Sequence, residues 1–126
     1  MRGLLDTSIL IAQETGRPFG DLPDEVSISV ITIAELHGGV LSARDASTRA
    51  QRLRTLARAE RDFEPLPIEA ETARVFASIM SEARAKGLRP KVMDVWIAAT
   101  AVRHGLVLFS QDAKFENIPQ LQVRRI

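Results

Sequence analysis

The sequence predicts an α/β fold built in layers around a mainly parallel central sheet. Three observations predict it. Short apolar runs that read as strands alternate along the chain with stretches of helical period. Two of these runs stop at or just before an acid, at Asp6 and at Asp112, as strands do when their ends reach the edge of a sheet. One stretch, residues 93–104 (MDVWIAATAVRH), is apolar almost all round, as a helix sheltered inside such a fold must be. The chain has 126 residues, 45 % of them apolar and 26 % charged, enough for one core and for one domain spanning 1–126.

Residues 2–6 (RGLLD) read as a short buried strand. Thr7 or Ser8 can cap a first helix over Ile9–Glu14, which Gly16 and Pro18 stop. After the loop GRPFGDLP, Val26, Ile28 and Val30 alternate with Ser27 and Ser29, the period of a strand. Thr32-Ile33-Ala34-Glu35 then opens a second helix, weakened at Gly38 and Gly39. Residues 43–61 form a basic helix with Ala46, Ala50, Leu53 and Ala57 on its apolar stripe. Phe63 to Ile68 is extended between Pro65 and Pro67. A helix follows over 69–86, with Ala73, Phe76, Ala77 and Met80 facing inward and Gly87 at its end. The apolar helix 93–104 ends at Gly105. Val107–Phe109 is a strand, SQDAKFENIP a turn and short helix, and Leu121–Ile126 a last strand. No internal repeat or long linker interrupts this order.

Composition excludes several classes of function. There is no cysteine, so no disulfide framework, zinc knuckle or thiol nucleophile. The longest apolar runs fall short of the ~18 residues a membrane span needs. The opening MRGLLDTSILIAQE is broken by Asp6 and has no small-residue cleavage site, so a cytoplasmic protein without membrane association is expected. The 17 basic and 16 acidic residues nearly cancel, but six arginines (44, 49, 52, 54, 58, 61) crowd one helix. That stripe could steer a polyanion or simply be a solvated face.

The informative residues are acids in apolar company, where an uncompensated charge is costly. Asp6 ends the first strand, and also suits an N-cap. Glu35 opens the second helix, where Thr32-x-x-Glu35 is formally a capping box. Asp94 opens the most apolar helix. Asp112 follows the strand 107–109, with Ser110 two residues before it, and also suits a turn. In a parallel sheet the strand carboxyl ends share one edge, so Asp6, Glu35 and Asp112 converge there and Asp94 can join them. Converged carboxylates need protons or a cation, and oxygen-only ligation favours Mg²⁺ or Mn²⁺. His37 and His104 read as structural, the one pointing away from Glu35's face and the other closing a helix. Trp96 reads as core packing rather than a base-stacking platform.

These residues resemble the motifs of PIN-domain ribonucleases, especially the VapC-type toxins of bacterial toxin–antitoxin pairs. LLDTSILI is similar to that family's first motif, with Asp6 as its acid and Thr7-Ser8 beside it. VITIAELHGG resembles the second, with Glu35 as its acid. MDVWIAATAVRHG resembles the third, with Asp94. LFSQDAKFENIPQLQV resembles the closing motif, with Ser110, Asp112, Phe115, Ile118 and Pro119 in place. The resemblance covers nearly the whole chain and implies a three-layer α/β/α PIN-like fold. It implies a metal-dependent endoribonuclease in which Asp6, Glu35, Asp94 and Asp112 hold one or two Mg²⁺ or Mn²⁺ ions, with Thr7 and Ser110 in support. A water would be activated in line with a phosphodiester, leaving 5′-phosphate and 3′-hydroxyl ends. It further implies structured RNA such as tRNA or rRNA as substrate, a VapB-type antitoxin as partner, and a homodimer. Two other readings are a catalytically inactive PIN-like module that binds RNA or assembles with partners, and a receiver-type signalling domain. The second lacks the required Asp at the end of a middle strand (FEPLPI) and the Lys at the end of the last (QVRRI).

Overall fold

A computed structural model describes all residues 1–126. β1 (Arg2–Leu5) leads into α1 (Thr7–Thr15), β2 (Glu25–Ser27), α2 (Val30–Leu41), α3 (Ala46–Asp62), α4 (Ala70–Ala85) and α5 (Val92–Arg103). β3 (Val107–Ser110), a short 3₁₀ turn at Ala113–Asn117, and β4 (Val123–Arg125) complete the chain. The sheet has the order β2-β1-β3-β4 and every pairing is parallel.

The sheet divides the core in two because strand side chains alternate faces. Leu4 and Leu108 point to one side, into a core with Ile79 of α4, Val95, Ile97 and Ala98 of α5, and Phe115 and Ile118. Leu5 and Phe109 point to the other, into a core with Ile9 and Leu10 of α1, Leu36 and Val40 of α2, and Leu56 and Ala59 of α3. This is the expected α/β/α sandwich. Gly3 is where the layers come closest: a Cβ there would meet Phe109 Cε1 at 2.7 Å and Pro23 Cγ at 2.8 Å.

Local sequence sets the ends of most elements. Gly16 stops α1 in the left-handed conformation, at φ 73°, with its N–H on the Ala12 carbonyl. Gly87 turns the chain after α4 in the same way. The start of α2 differs from expectation. Val30 belongs to the helix, not to β2, because the Ser29 hydroxyl accepts from Ile31 N and caps it. Thr32-x-x-Glu35 is therefore no capping box, and Glu35 lies in the second turn. The extended run after α3 pairs Leu66 with Ser29 in one isolated parallel bridge.

Two helix faces also differ. On α3 the buried residues are Thr55, Leu56 and Ala59, while Ala46, Ala50, Leu53 and Ala57 are exposed. Leu56 and Ala59 join the core with α1 and α2, and beside them Thr55 donates to Glu14 Oε1 at 2.7 Å and Gln51 Nε2 to the Glu14 carbonyl at 3.3 Å, which docks this face on α1. On α4, Thr72, Ile79 and Ala83 are buried, Phe76 and Met80 half-buried, and Ala73 and Ala77 exposed. Trp96 is half-buried, stacked on Phe76 with centroids 3.9 Å apart and planes 19° apart, in the seam between α4 and α5.

Candidate active site

The strand order reverses direction between β1 and β3: after β1 the chain moves to β2 on one side, and after β3 to β4 on the other. The crevice beyond strand carboxyl ends at such a point is where open parallel sheets bind ligands. Asp6 immediately follows β1 and Asp112 follows β3 by one residue. The two connections are tied by Asp6 N donating to the Phe109 carbonyl at 2.9 Å.

Asp6 is 3 % exposed and is also the N-cap of α1, accepting from Ser8 N at 3.4 Å. Its Oδ2 receives the Ser110 hydroxyl at 2.9 Å. That hydroxyl in turn accepts from Asp112 N at 2.9 Å. Ser8 Oγ lies 3.2 Å from Ser110 Oγ. Since Ser110 spends its hydrogen on Asp6, Ser8 is the donor, and Ser8 accepts from Gln111 N at 3.0 Å. Two serines thus lock the Asp6 carboxylate and aim the chain leaving β3.

Glu35 reaches the same pocket from α2. Thr7 donates to its Oε1 at 2.7 Å, and Thr32, fully buried, stands 3.0 Å from the Thr7 hydroxyl. Partial burial pushes the Glu35 carboxyl above its ordinary 4.5. The Thr7 hydrogen bond and the Lys114 charge oppose this, while the Asp6 and Asp94 carboxylates add to it. Asp94, 5 % exposed, lies in the first turn of α5, where Lys91 is the N-cap. Asp112 is the most open of the four, with a side chain 48 % exposed, and its Oδ1 caps the 3₁₀ turn by accepting from Lys114 N at 3.0 Å.

Asp6, Asp94 and Asp112 act on the charge of Lys114, and Asp6, Asp94 and Lys114 act on that of Glu35, so the expected acids share one neighbourhood, with Thr7 and Ser110 holding Glu35 and Asp6; no three of the acids stand close enough to enclose one ion. One member was missed. Lys114 Nζ lies 3.0 Å from Asp94 Oδ1 and 3.7 Å from Asp112 Oδ2. Burial works against its charge, but the Asp94 hydrogen bond and the Asp94, Asp6 and Asp112 charges prevail and hold the ammonium above its ordinary pKa. Its separation from Asp112 by one residue was the available signal, masked by the ordinary look of a lysine in a turn. Ser8 and Thr32 were read as helix-start residues and are also part of the support. His37 is exposed. His104 closes α5 at the end away from Asp94, about 15 Å along the helix axis.

Two cavities flank the carboxylates. One of about 270 Å³ is lined by Arg89, Lys91, Asp94 and Lys114 among others. The other, about 610 Å³, is lined by Ser8, Arg17, Asp112 and Arg125 among others. Of the arginines on α3, Arg49 and Arg52 donate to the Ala43 and Gly39 carbonyls and Arg61 pairs with Asp62. These three brace the turn between α2 and α3 and the end of α3, as a structural face does.

Acids gathered at the switch point of a parallel sheet, Asp6 and Asp94 buried and Glu35 and Asp112 more open, mark the site of this chain, and known proteins resemble the chain in sequence and fold. Residues 3–121 match the PIN domain. The chain is 42 % identical over 115 residues to ribonuclease VapC5 of Mycobacterium tuberculosis, covering 90 % of this chain and 84 % of that one. It is 40 % identical over 124 residues to ribonuclease VapC4 of the same organism, covering 97 % and 95 %. Among solved structures, a toxin–antitoxin complex, VapBC-5 of M. tuberculosis, superposes with a TM-score of 0.87 at 37 % identity, covering 99 % of this chain and 98 % of that one. The chain belongs to the PIN-domain family, among the VapC ribonucleases.

The raised Glu35 carboxyl has a measurable consequence. A carboxylic acid with a raised folded-state pKa binds protons more readily when folded, so its contribution to stability is lost as pH rises from about 4.5 through the raised value. Glu35→Gln keeps the acceptor for Thr7 and removes the charge. In chelator at pH 7 this variant is expected to melt a few degrees above wild type, with the gap closing towards pH 4. Equal melting at both pH values would show that Glu35 carries no such strain.

Proposed function

We propose that this chain is a divalent-metal-dependent endoribonuclease toxin, cytoplasmic and acting as one domain, restrained by a VapB-type antitoxin. The observation that carries this reading is the pair of buried acids Asp6 and Asp94, facing Glu35 and Asp112 with no histidine among them. The donor set is hard oxygen throughout, which fits Mg²⁺ or Mn²⁺ and no soft metal. As placed, no three of the acids stand close enough to enclose one ion.

When bound, the ion supplies an activated water at neutral pH and positive charge beside the phosphoryl oxygens. The chain's own residues do the rest. Asp6, Glu35, Asp94 and Asp112 would hold one or two ions. Ser110 and Thr7 fix the Asp6 and Glu35 carboxylates in single orientations through the 2.9 and 2.7 Å hydrogen bonds, a role whose loss typically costs ~10–100-fold. Arg17 and Arg125 on one flank and Arg89 and Lys91 on the other offer phosphate contacts, so a strand of RNA can cross the carboxylates between them. The family resemblance, rather than these residues, points to structured RNA such as tRNA or rRNA as substrate, with a looped segment reaching the site. In-line attack by water would leave 5′-phosphate and 3′-hydroxyl ends. The similarity to a VapBC structure supports an antitoxin partner, and a homodimer is proposed on the family resemblance.

The test is cleavage of bulk cellular RNA by the purified chain. Activity is expected with Mg²⁺ or Mn²⁺, absent with EDTA, and restored by excess metal, with 5′-phosphate ends on the products. Cleavage indifferent to chelator would overturn the metal reading. Salt-sensitive RNA binding without any cleavage would favour the inactive module.

A further inference from the structure

The Lys114 ammonium lies between Asp94 and Asp112, two of the carboxylates that would hold a divalent ion. It lies 3.0 Å from one carboxylate and 3.7 Å from the other. Asp94 is otherwise poorly compensated: its side chain is 7 % exposed and Lys114 is its ion-pair partner. The lysine is not buried with it. Its side chain is 40 % exposed, and its stem leaves the 3₁₀ turn beside the fully buried Phe115, with Nζ 5.3 Å from that ring's centroid. The chain has fourteen arginines and three lysines, and two of those lysines, Lys91 and Lys114, line the cavity at Asp94. A lysine presents a compact point charge on a flexible stem, which can enter a small oxygen-lined gap and leave it again; a guanidinium is broad and planar.

We propose that Lys114 is a resident, displaceable cation of the carboxylate crevice. It neutralises Asp94 and Asp112 when no divalent ion is bound and must leave them when one binds, so metal loading is an exchange of cations. The proposal rests on the reading of the crevice as a divalent-ion site. The physical basis is competition for the same lone pairs. A carboxylate oxygen that ligates Mg²⁺ at about 2.0–2.1 Å cannot also keep an ammonium hydrogen bond of full strength. Two cations in one small crevice also repel. The contact of Lys114 with these carboxylates therefore lowers the net gain on binding metal. The same contact keeps the buried Asp94 charge tolerable in a folded chain that holds no ion.

The experiment measures metal binding without RNA. The full chain is stripped with EDTA, dialysed, and titrated with Mn²⁺ by calorimetry and by the EPR signal of the free ion. Lys114→Met is expected to bind Mn²⁺ about tenfold more tightly than wild type, the scale on which groups next to metal ligands act. Lys114→Arg, which keeps a charge but not the compact ammonium, is expected to bind Mn²⁺ less tightly than the neutral variant. In chelator, Lys114→Met is expected to melt below wild type, and saturating Mn²⁺ to remove the deficit. Lys114→Gln serves as a second neutral variant with the same expectation. Equal or weaker Mn²⁺ binding by both neutral variants, with wild type still binding, would overturn the exchange and leave the metal site standing. Absence of Mn²⁺ binding by wild type and variants alike would overturn the metal site itself, and the exchange with it.

Discussion

Asp94→Asn is expected to abolish RNA cleavage while leaving the fold in place. The carboxylate lies 5 % exposed at the start of α5, near enough to Glu35 to raise its pKa and paired with Lys114, which Asp6 and Asp112 also influence. Asparagine keeps the shape and loses the charge that would bind the ion. The loss should exceed the roughly 10–100-fold typical of removing a group that only orients a ligand. Stability should change by no more than about 1 kcal/mol, because the orphaned Lys114 is 40 % exposed and can return to water. Steady-state cleavage of a fixed RNA, read beside a thermal melt in EDTA, checks both halves. An Asp94→Asn protein that melts normally and cleaves like wild type would remove this residue from the chemistry.

Phe115→Ala should act through the fold. Phe115 is fully buried and is the largest such side chain in the molecule. It packs with Leu4, Leu108, Val95 and Ile118 beneath the 3₁₀ turn that carries Lys114, one residue beyond Asp112. Truncation of a buried phenylalanine costs about 3–5 kcal/mol, from lost burial and the cavity left behind. For a chain of this size that is a fall in Tm of roughly 10–20 °C. Phe115→Leu should cost much less, since most of the volume remains. If urea denaturation shows the alanine variant within 1 kcal/mol of wild type, on the order of a surface change, Phe115 is not the anchor of this turn.

Asp6 and Asp112 show why single acids are hard to assign from sequence. Both do cap helical turns, as ordinary local chemistry suggests, and both also face the crevice. Capping and site-building coexist because the end of a strand and the start of a helix meet at the same sheet edge. The motifs around Asp6, Glu35, Asp94 and Asp112 were legible, and so was the layered fold, from short apolar runs alternating with stretches of helical period. The inner faces of α3 and α4 were not. Alanines on both sides of these helices left the stripe ambiguous, and the faces were chosen by Leu56 and Ala59 joining the core, with Glu14 gripping Thr55 and Gln51 beside them, and by Thr72 turning inward.

By itself, then, the sequence determined the elements, most of their ends and the family resemblance, and it singled out four candidate acids, because periodicity, caps and glycine stops act between residues a few positions apart. Only the tertiary structure decided that Ser8 and Ser110 clasp one another across 102 positions, that Thr32 backs Thr7, and that Lys114 rather than another cation lies against Asp94. Those contacts depend on the order β2-β1-β3-β4, which sets β1 beside β3. No near-neighbour preference encodes that adjacency; it comes from burying both faces of one sheet at once.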